Sequence, residues 1–261
     1  MNNIDNTNRI SKAFENKKAL ITFVTGGDPD IETTEKLVLA MEEAGADIIE
    51  IGIPFSDPIA EGTVIQEADK RALDNFCTVD KLFDMVKRIR FKTNMPLLFM
   101  TYANPIYVYG KDKFMLKCEE SGIDGIIVPD VPFEEKDEFE EAANKHNICV
   151  VSMIAPTSGD RIEKIAKEAE GFLYCVSSLG VTGVRSKINT NVKELINKVK
   201  ETSNVPCAVG FGISTPEQAH KMAEISDGVI VGSAIVRIVA EFGRESAVQV
   251  KSFVKELKNS L

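Results

Sequence analysis

The chain has little of what many catalytic centres are built from. Its 261 residues include only two histidines, His146 and His220, both in helix-like patterns. With no H-E-x-x-H and no Cys/His cluster beside them, no metal site is expected. The five cysteines (77, 118, 149, 175 and 207) show no C-x-x-C spacing. Cys149, Cys175 and Cys207 fall in apolar runs and read as small core residues, and an odd count without a framework fits a reducing compartment. There is no G-x-S-x-G and no Ser/His/Asp set. No lysine stands inside or directly after a strand-like run, which removes the nucleophile of a Schiff-base aldolase. No apolar run approaches the ~20 residues that span a bilayer. The polar N-terminus carries no export signal, so a cytoplasmic location is expected. A net charge of −9, with lysines scattered among acids, argues against a nucleic-acid or membrane surface. A small anion is still admissible, because helix N-termini bind phosphate without side-chain charge. What remains is carboxylate acid/base chemistry without metal or covalent intermediate.

Apolar, β-branched runs recur at about Ala19–Thr25, Asp47–Ile51, Pro96–Thr101, Gly125–Val128, Ile148–Met153, Phe172–Val176, Pro206–Gly210 and Gly228–Val231. Helical patterns lie between them, at Glu32–Ala44, Val79–Arg90, Lys111–Ser121, Glu134–Lys145, Gly159–Glu168, Val192–Glu201 and Pro216–Ile225. Strands apolar throughout suit a parallel sheet buried on both faces. Eight of them alternating with helices favour an α/β fold of the (β/α)8 TIM-barrel type over a doubly wound open sheet. Extra helices are expected at about Asn8–Asn16 and Glu245–Leu257, and no linker divides the chain, so residues 1–261 read as one barrel domain. Two long connections, about Gly52–Val64 and Ser177–Asn191, would lie at the C-terminal mouth, where barrel enzymes keep their active sites.

Glu50 is the candidate that stands out. It sits in the middle of an apolar strand, where burying an unpaired polar group costs about 2–7 kcal/mol unless a partner or a task offsets it. Asp57 and Glu61 follow in the loop, an arrangement suited to acid/base work, although a structural acid capping loop amides would look the same. Gly210-Phe-Gly-Ile-Ser-Thr-Pro-Glu217 and Gly232-Ser-Ala-Ile-Val236 each join a strand to a helix start, at the ordinals where this fold binds phosphate. Phe23, Tyr102 and Tyr174 stand near strand ends and could line an aromatic pocket or simply pack the core.

Pro54-Phe-Ser-Asp-Pro58 with Ala60-Glu-Gly62, together with Gly26-Gly-Asp-Pro29, Tyr102-Ala-Asn104, Pro129-Asp-Val-Pro132, Gly180-Val-Thr-Gly183, Gly210-Phe-Gly-Ile213 and Gly232-Ser233, closely resembles the α subunit family of tryptophan synthase. The match runs in order over almost the whole chain. The resemblance implies a (β/α)8 lyase that splits indole-3-glycerol phosphate into indole and glyceraldehyde 3-phosphate. It implies Glu50 as the acid/base at indole C3 and Glu61 as the second carboxylate, acting at the indole nitrogen. Phe23, Met100, Tyr102, Ile127, Tyr174 and Phe211 correspond to the indole pocket, and Gly183, Gly212, Gly232 and Ser233 to the phosphate site. Thr182 corresponds to the lid, and Asp57 and Pro58 to the loop facing a β subunit. No cofactor is implied in this chain; pyridoxal phosphate (PLP) is expected in the β partner of an α2β2 assembly. The family commonly has Asp-Gly-Pro where this chain has Glu61-Gly62-Thr63. The longer carboxylate is expected to be accommodated by the backbone. Two other readings compete: a partner-activating subunit with weak chemistry of its own, and a different barrel enzyme such as a phosphate-sugar isomerase.

Overall fold

The computed structural model describes residues 6–176, 188–210 and 212–261. The apolar runs form nine parallel strands: β1 (Ala19–Thr25), β2 (Ile48–Gly52), β3 (Leu97–Met100), β4 (Gly125–Ile127), β5 (Cys149–Val150), β6 (Met153–Ile154), β7 (Leu173–Val176), β8 (Cys207–Gly210) and β9 (Gly228–Val231). β1 and β2 are buried along their whole length, as strands wrapped by helices must be. The sheet order is β5-β4-β3-β2-β1-β9-β8-β7-β6, so the two outermost strands are consecutive in the chain. Between them the Val151 N–H donates to Ile126 O (2.9 Å) on the β4 side, and Ser152 O accepts from the Tyr174 N–H (3.0 Å) on the β7 side. β5 and β6 are therefore one interrupted fifth strand that changes neighbours in mid-course. The sheet closes there into the (β/α)8 barrel, and the expected eighth-fold count holds once this break is joined.

Side chains alternate across each strand. Ile21, Ile48, Leu98, Ile127, Tyr174 and Ala208 are among those filling the barrel, and Ile10 and Ala13 close its N-terminal end. Ile10 belongs to the extra N-terminal helix, Asn6–Lys12, which is shorter than the sequence pattern suggested. The opposite faces pack against the helical shell, completed by the C-terminal helix Ala247–Asn259.

The N-terminal end is held by a repeated device. Asp47, Asp124 and Asp227 each precede a strand, and each backbone N–H donates to a carbonyl of the neighbouring strand: Leu20 (2.8 Å), Leu97 (2.9 Å) and Cys207 (2.8 Å). Each carboxylate then accepts the N–H of that same residue, at 2.8, 2.8 and 2.9 Å. Strand-start amides are thus satisfied where no ladder partner exists. Register is fixed at this end, and the other end is left for irregular loops. Among the described residues, no helix is long and apolar enough to cross a membrane.

Candidate active site

Period-2 alternation turns Glu50 inward from the middle of β2, in register with Phe23 on β1 and Leu98 on β3. The residue is 1 % exposed, and neither carboxylate oxygen has a hydrogen-bond partner. Burial alone pushes its carboxyl up to about 8, so at neutral pH it holds its proton. Its charge, when present, bears on Tyr174, which is buried on β7 and held well above the usual phenol range by burial first and by Glu50 second.

Glu61 reaches the mouth from the loop after β2. It is half-buried, and the Tyr102 hydroxyl donates to its Oε2 while accepting the Ala60 N–H at 2.8 Å. Burial raises the Glu61 carboxyl, the Tyr102 bond lowers it, and the charge of Asp130 raises it again. Gly62 caps the helix Thr63–Asp74 that follows, so Thr63 occupies the first helical position and stands in for a proline without breaking the helix start. The structure thus places Glu50 deep and Glu61 at the rim, with Tyr102 between the loop and the pocket.

Phe23, Tyr102, Ile127 and Tyr174 are buried and Met100 is half-buried, an apolar slot beside Glu50. A Cβ built on Gly210 would lie 2.5 Å from the Tyr174 hydroxyl oxygen, so only glycine leaves that ring its place. Gly210→Ala is expected to lower stability by ~1–3 kcal/mol, the cost of an overpacked methyl. Thermal unfolding of the purified variant would show it, and an unchanged melting temperature would mean that the ring moves freely.

The elements expected to bind phosphate also lie at the mouth. The helix Ser233–Phe242 is capped by Gly232, whose carbonyl accepts from Ile235 (2.8 Å) and Val236 (3.1 Å). The first amides of the helix lie ahead of that ladder, as an anion requires. Gly212 adopts φ +76°, with open space where a side chain would be. Thr182, Gly183 and Phe211 lie outside the described residues. Asp57 is exposed and Pro58 half-exposed on the loop, next to Ile59, which is 80 % exposed.

The sequence model described as tryptophan synthase alpha chain matches residues 10–261. The chain belongs to the tryptophan synthase alpha chain family. The alpha chain of Thermoanaerobacter pseudethanolicus is 49 % identical, with 97 % of this chain and all (100 %) of the relative aligned. The crystal structure of tryptophan synthase subunit alpha from Legionella pneumophila superposes with a TM-score of 0.88 at 36 % identity, covering 97 % of both chains. A chain of the tryptophan synthase a2b2 complex from Pyrococcus furiosus does so with a TM-score of 0.85 at 41 % identity, covering 92 % of this chain and 97 % of that one. Within a tryptophan synthase alpha chain, two carboxylates near Glu61 went unread in the sequence. Asp130 lies just beyond the C-terminal end of β4, a position that marks the active rim of any barrel. Asp69 lies inside a helix and carries no such signal.

Proposed function

We propose that Glu50 and Glu61 carry out the reaction of this family, in which the chain cleaves indole-3-glycerol phosphate to indole and glyceraldehyde 3-phosphate in tryptophan biosynthesis. The observation that carries the assignment is a carboxyl 1 % exposed, without a partner, and still protonated at neutral pH. Such a group is a poor structural element and a competent acid.

The chemistry follows from where protons must go. Cleaving the bond to indole C3 requires that carbon to become tetrahedral. Glu50 gives its proton to C3 while Glu61, as carboxylate, takes the proton from the ring nitrogen. The product is the non-aromatic 3H-indole tautomer. The Glu50 carboxylate then removes the proton of the hydroxyl on the adjoining side-chain carbon. That oxygen's electrons form the aldehyde, the C–C bond breaks toward the ring, and Glu61 returns the proton to nitrogen. Both acids finish as they began. Phe23, Tyr174 and Ile127 exclude water around Glu50, and Gly212, Gly232 and Ser233 take the phosphate. Gly183, Thr182 and Phe211 are assigned to the phosphate site, the lid and the pocket by resemblance.

The chain needs no cofactor of its own for these steps, and pyridoxal phosphate belongs to the β partner. The β subunit docks over the mouth at Asp57 and Pro58, beside Ile59, which exposes 80 % of its surface. The assembly is α2β2, in the cytoplasm, and residues 1–261 act as one barrel. Indole release from indole-3-glycerol phosphate, by the chain alone and with a β subunit, tests the reading. No turnover in either state would overturn it. Glu61→Asp is expected to leave turnover unchanged or lower it up to about tenfold, because the shorter chain lets go of Tyr102 and misplaces the carboxylate by about one bond. A large gain would show that the extra methylene handicaps the natural site.

A further inference from the structure

Tyr102 is 3 % exposed, just beyond the C-terminal end of β3, and the loop after β2 wraps around it. That loop leaves the sheet tied to β3, with the Ile53 N–H donating to Met100 O at 2.8 Å. The Phe55 ring then packs on the Tyr102 ring, with centroids 5.3 Å apart and planes tilted by 36°. Further on, the Tyr102 hydroxyl accepts the Ala60 N–H at 2.8 Å and donates to Glu61 Oε2. One side chain thus holds Phe55, Ala60 and Glu61, on either side of the exposed stretch at Asp57 and Ile59. Tyr102 is itself fixed by its backbone. It caps the helix Ala103–Tyr109, whose first N–H, that of Ala103, donates to both Asp130 oxygens at 3.0 and 3.2 Å. The main chain of Glu61 is held separately, by Gln66 Nε2 donating to its carbonyl at 2.9 Å. What these bonds leave to the phenol is the carboxylate, at the end of a side chain with several rotatable bonds.

We propose that Tyr102 is the positioning residue for Glu61: its hydroxyl, fixed at the end of β3, aims the carboxylate at the ring nitrogen and keeps it charged. This rests on the reading of Glu61 as the carboxylate that serves that nitrogen. A phenol that already accepts one N–H has its O–H left to give, and a bond to a carboxylate is the strongest use of it. Burial first and the Glu61 bond second hold the Tyr102 phenol above its usual range, so it donates without surrendering its proton. It therefore steers the base and takes no part as an acid. The other titratable groups that bear on Glu61 are acids, Asp130 from the end of β4 and Asp69 from the helix Thr63–Asp74. Burial and the Asp130 charge push the Glu61 carboxyl up, and the phenol opposes them. Without the hydroxyl, the carboxylate loses both its anchor and the donor that favours its charged form.

Tyr102→Phe removes the hydroxyl and keeps the ring that packs on Phe55. The test is the pH profile of kcat and KM for indole release by Tyr102→Phe, with Glu61→Gln and the Tyr102→Phe/Glu61→Gln pair beside it. At neutral pH, Tyr102→Phe is expected to lose kcat about tenfold or more with KM nearly unchanged, as a carboxylate misplaced by up to about 1 Å would. Glu61 must be ionised to take a proton, so kcat falls as pH drops through its titration. Without the phenol that titration lies higher, and the acid limb of the Tyr102→Phe profile should move to higher pH. In the Glu61→Gln chain no base is left to aim, so adding Tyr102→Phe should cost nothing further. A ring that only walls the indole pocket would act differently, raising KM and slowing the Glu61→Gln chain as well. A natural kcat, an unmoved acid limb, or a pair slower than Glu61→Gln would each overturn the proposal. Undiminished turnover in Glu61→Gln would overturn the underlying reading of Glu61 instead.

Discussion

Replacing Glu50 with Gln is expected to lower indole release by about 10³-fold, within the range for losing a general acid, while the folded chain becomes less sensitive to rising pH. The first effect follows from the missing proton at C3. The second follows from linkage. The folded carboxyl titrates at about 8 and the unfolded one near 4.5. Between those values the unfolded chain has released its proton and the folded chain still holds it. Stability therefore falls as pH rises through this window, and at pH 7 the loss amounts to about 3 kcal/mol. Glutamine does not titrate, so its stability curve lacks this slope. Because its amide is also buried without a partner, the gain at pH 7 is smaller than that figure. Indole release, and thermal unfolding of both chains across the window, read the two effects. Wild-type turnover would remove Glu50 from the chemistry. Parallel stability curves would mean that its carboxyl ionises as freely in the fold as outside it.

The features legible in the sequence were those that local pattern fixes. β1, β9 and the helices Val79–Arg90 and Lys111–Ser121 lie where periodicity puts them. Glu50 was readable because an acid in an apolar run is costly wherever it sits. Two helices were not readable, and a third was legible only at its start. Thr63–Asp74 is polar over most of its length, and its first turn continues a loop rich in Pro and Gly. Ala103–Tyr109 carries Pro105 and aromatic residues, and its first amide is capped from afar by Asp130 at 3.0 and 3.2 Å. Ser233–Phe242 was legible only as a helix start after Gly232, because it is so rich in β-branched residues that its composition resembles a strand. In each case tertiary contacts override weak propensity.

Asp124→Ala is the counterpart at the other end of the barrel, and it is expected to cost about 3–5 kcal/mol of stability, the range for breaking a buried ion pair. Asp124 is as buried as Glu50, at 0 % exposed, yet its surroundings are the reverse. Its carboxylate holds Arg90 at 2.5 Å, Arg9 at 3.1 Å and the Leu97 N–H at 2.8 Å. Arg90 goes on to the carbonyls of Met95 (2.5 Å) and Gly122 (2.6 Å), so it ties the start of β3 to the turn before β4. Alanine would leave that guanidinium, 13 % exposed, without its counter-charge, and would free the helix Asn6–Lys12 from its anchor at Arg9. The melting temperature should fall by roughly 10 °C. At a temperature where the variant is folded, kcat should hardly change, because the break lies at the N-terminal ends of the strands and the chemistry at their C-terminal ends. Glu50→Gln moves stability the other way and costs turnover instead. A carboxylate supplied with partners is there to hold strands together, and one denied them is there to hold a proton. If Asp124→Ala instead lost turnover in step with stability, the two ends of the barrel would be mechanically coupled, and burial with or without partners would no longer separate structure from chemistry in this chain.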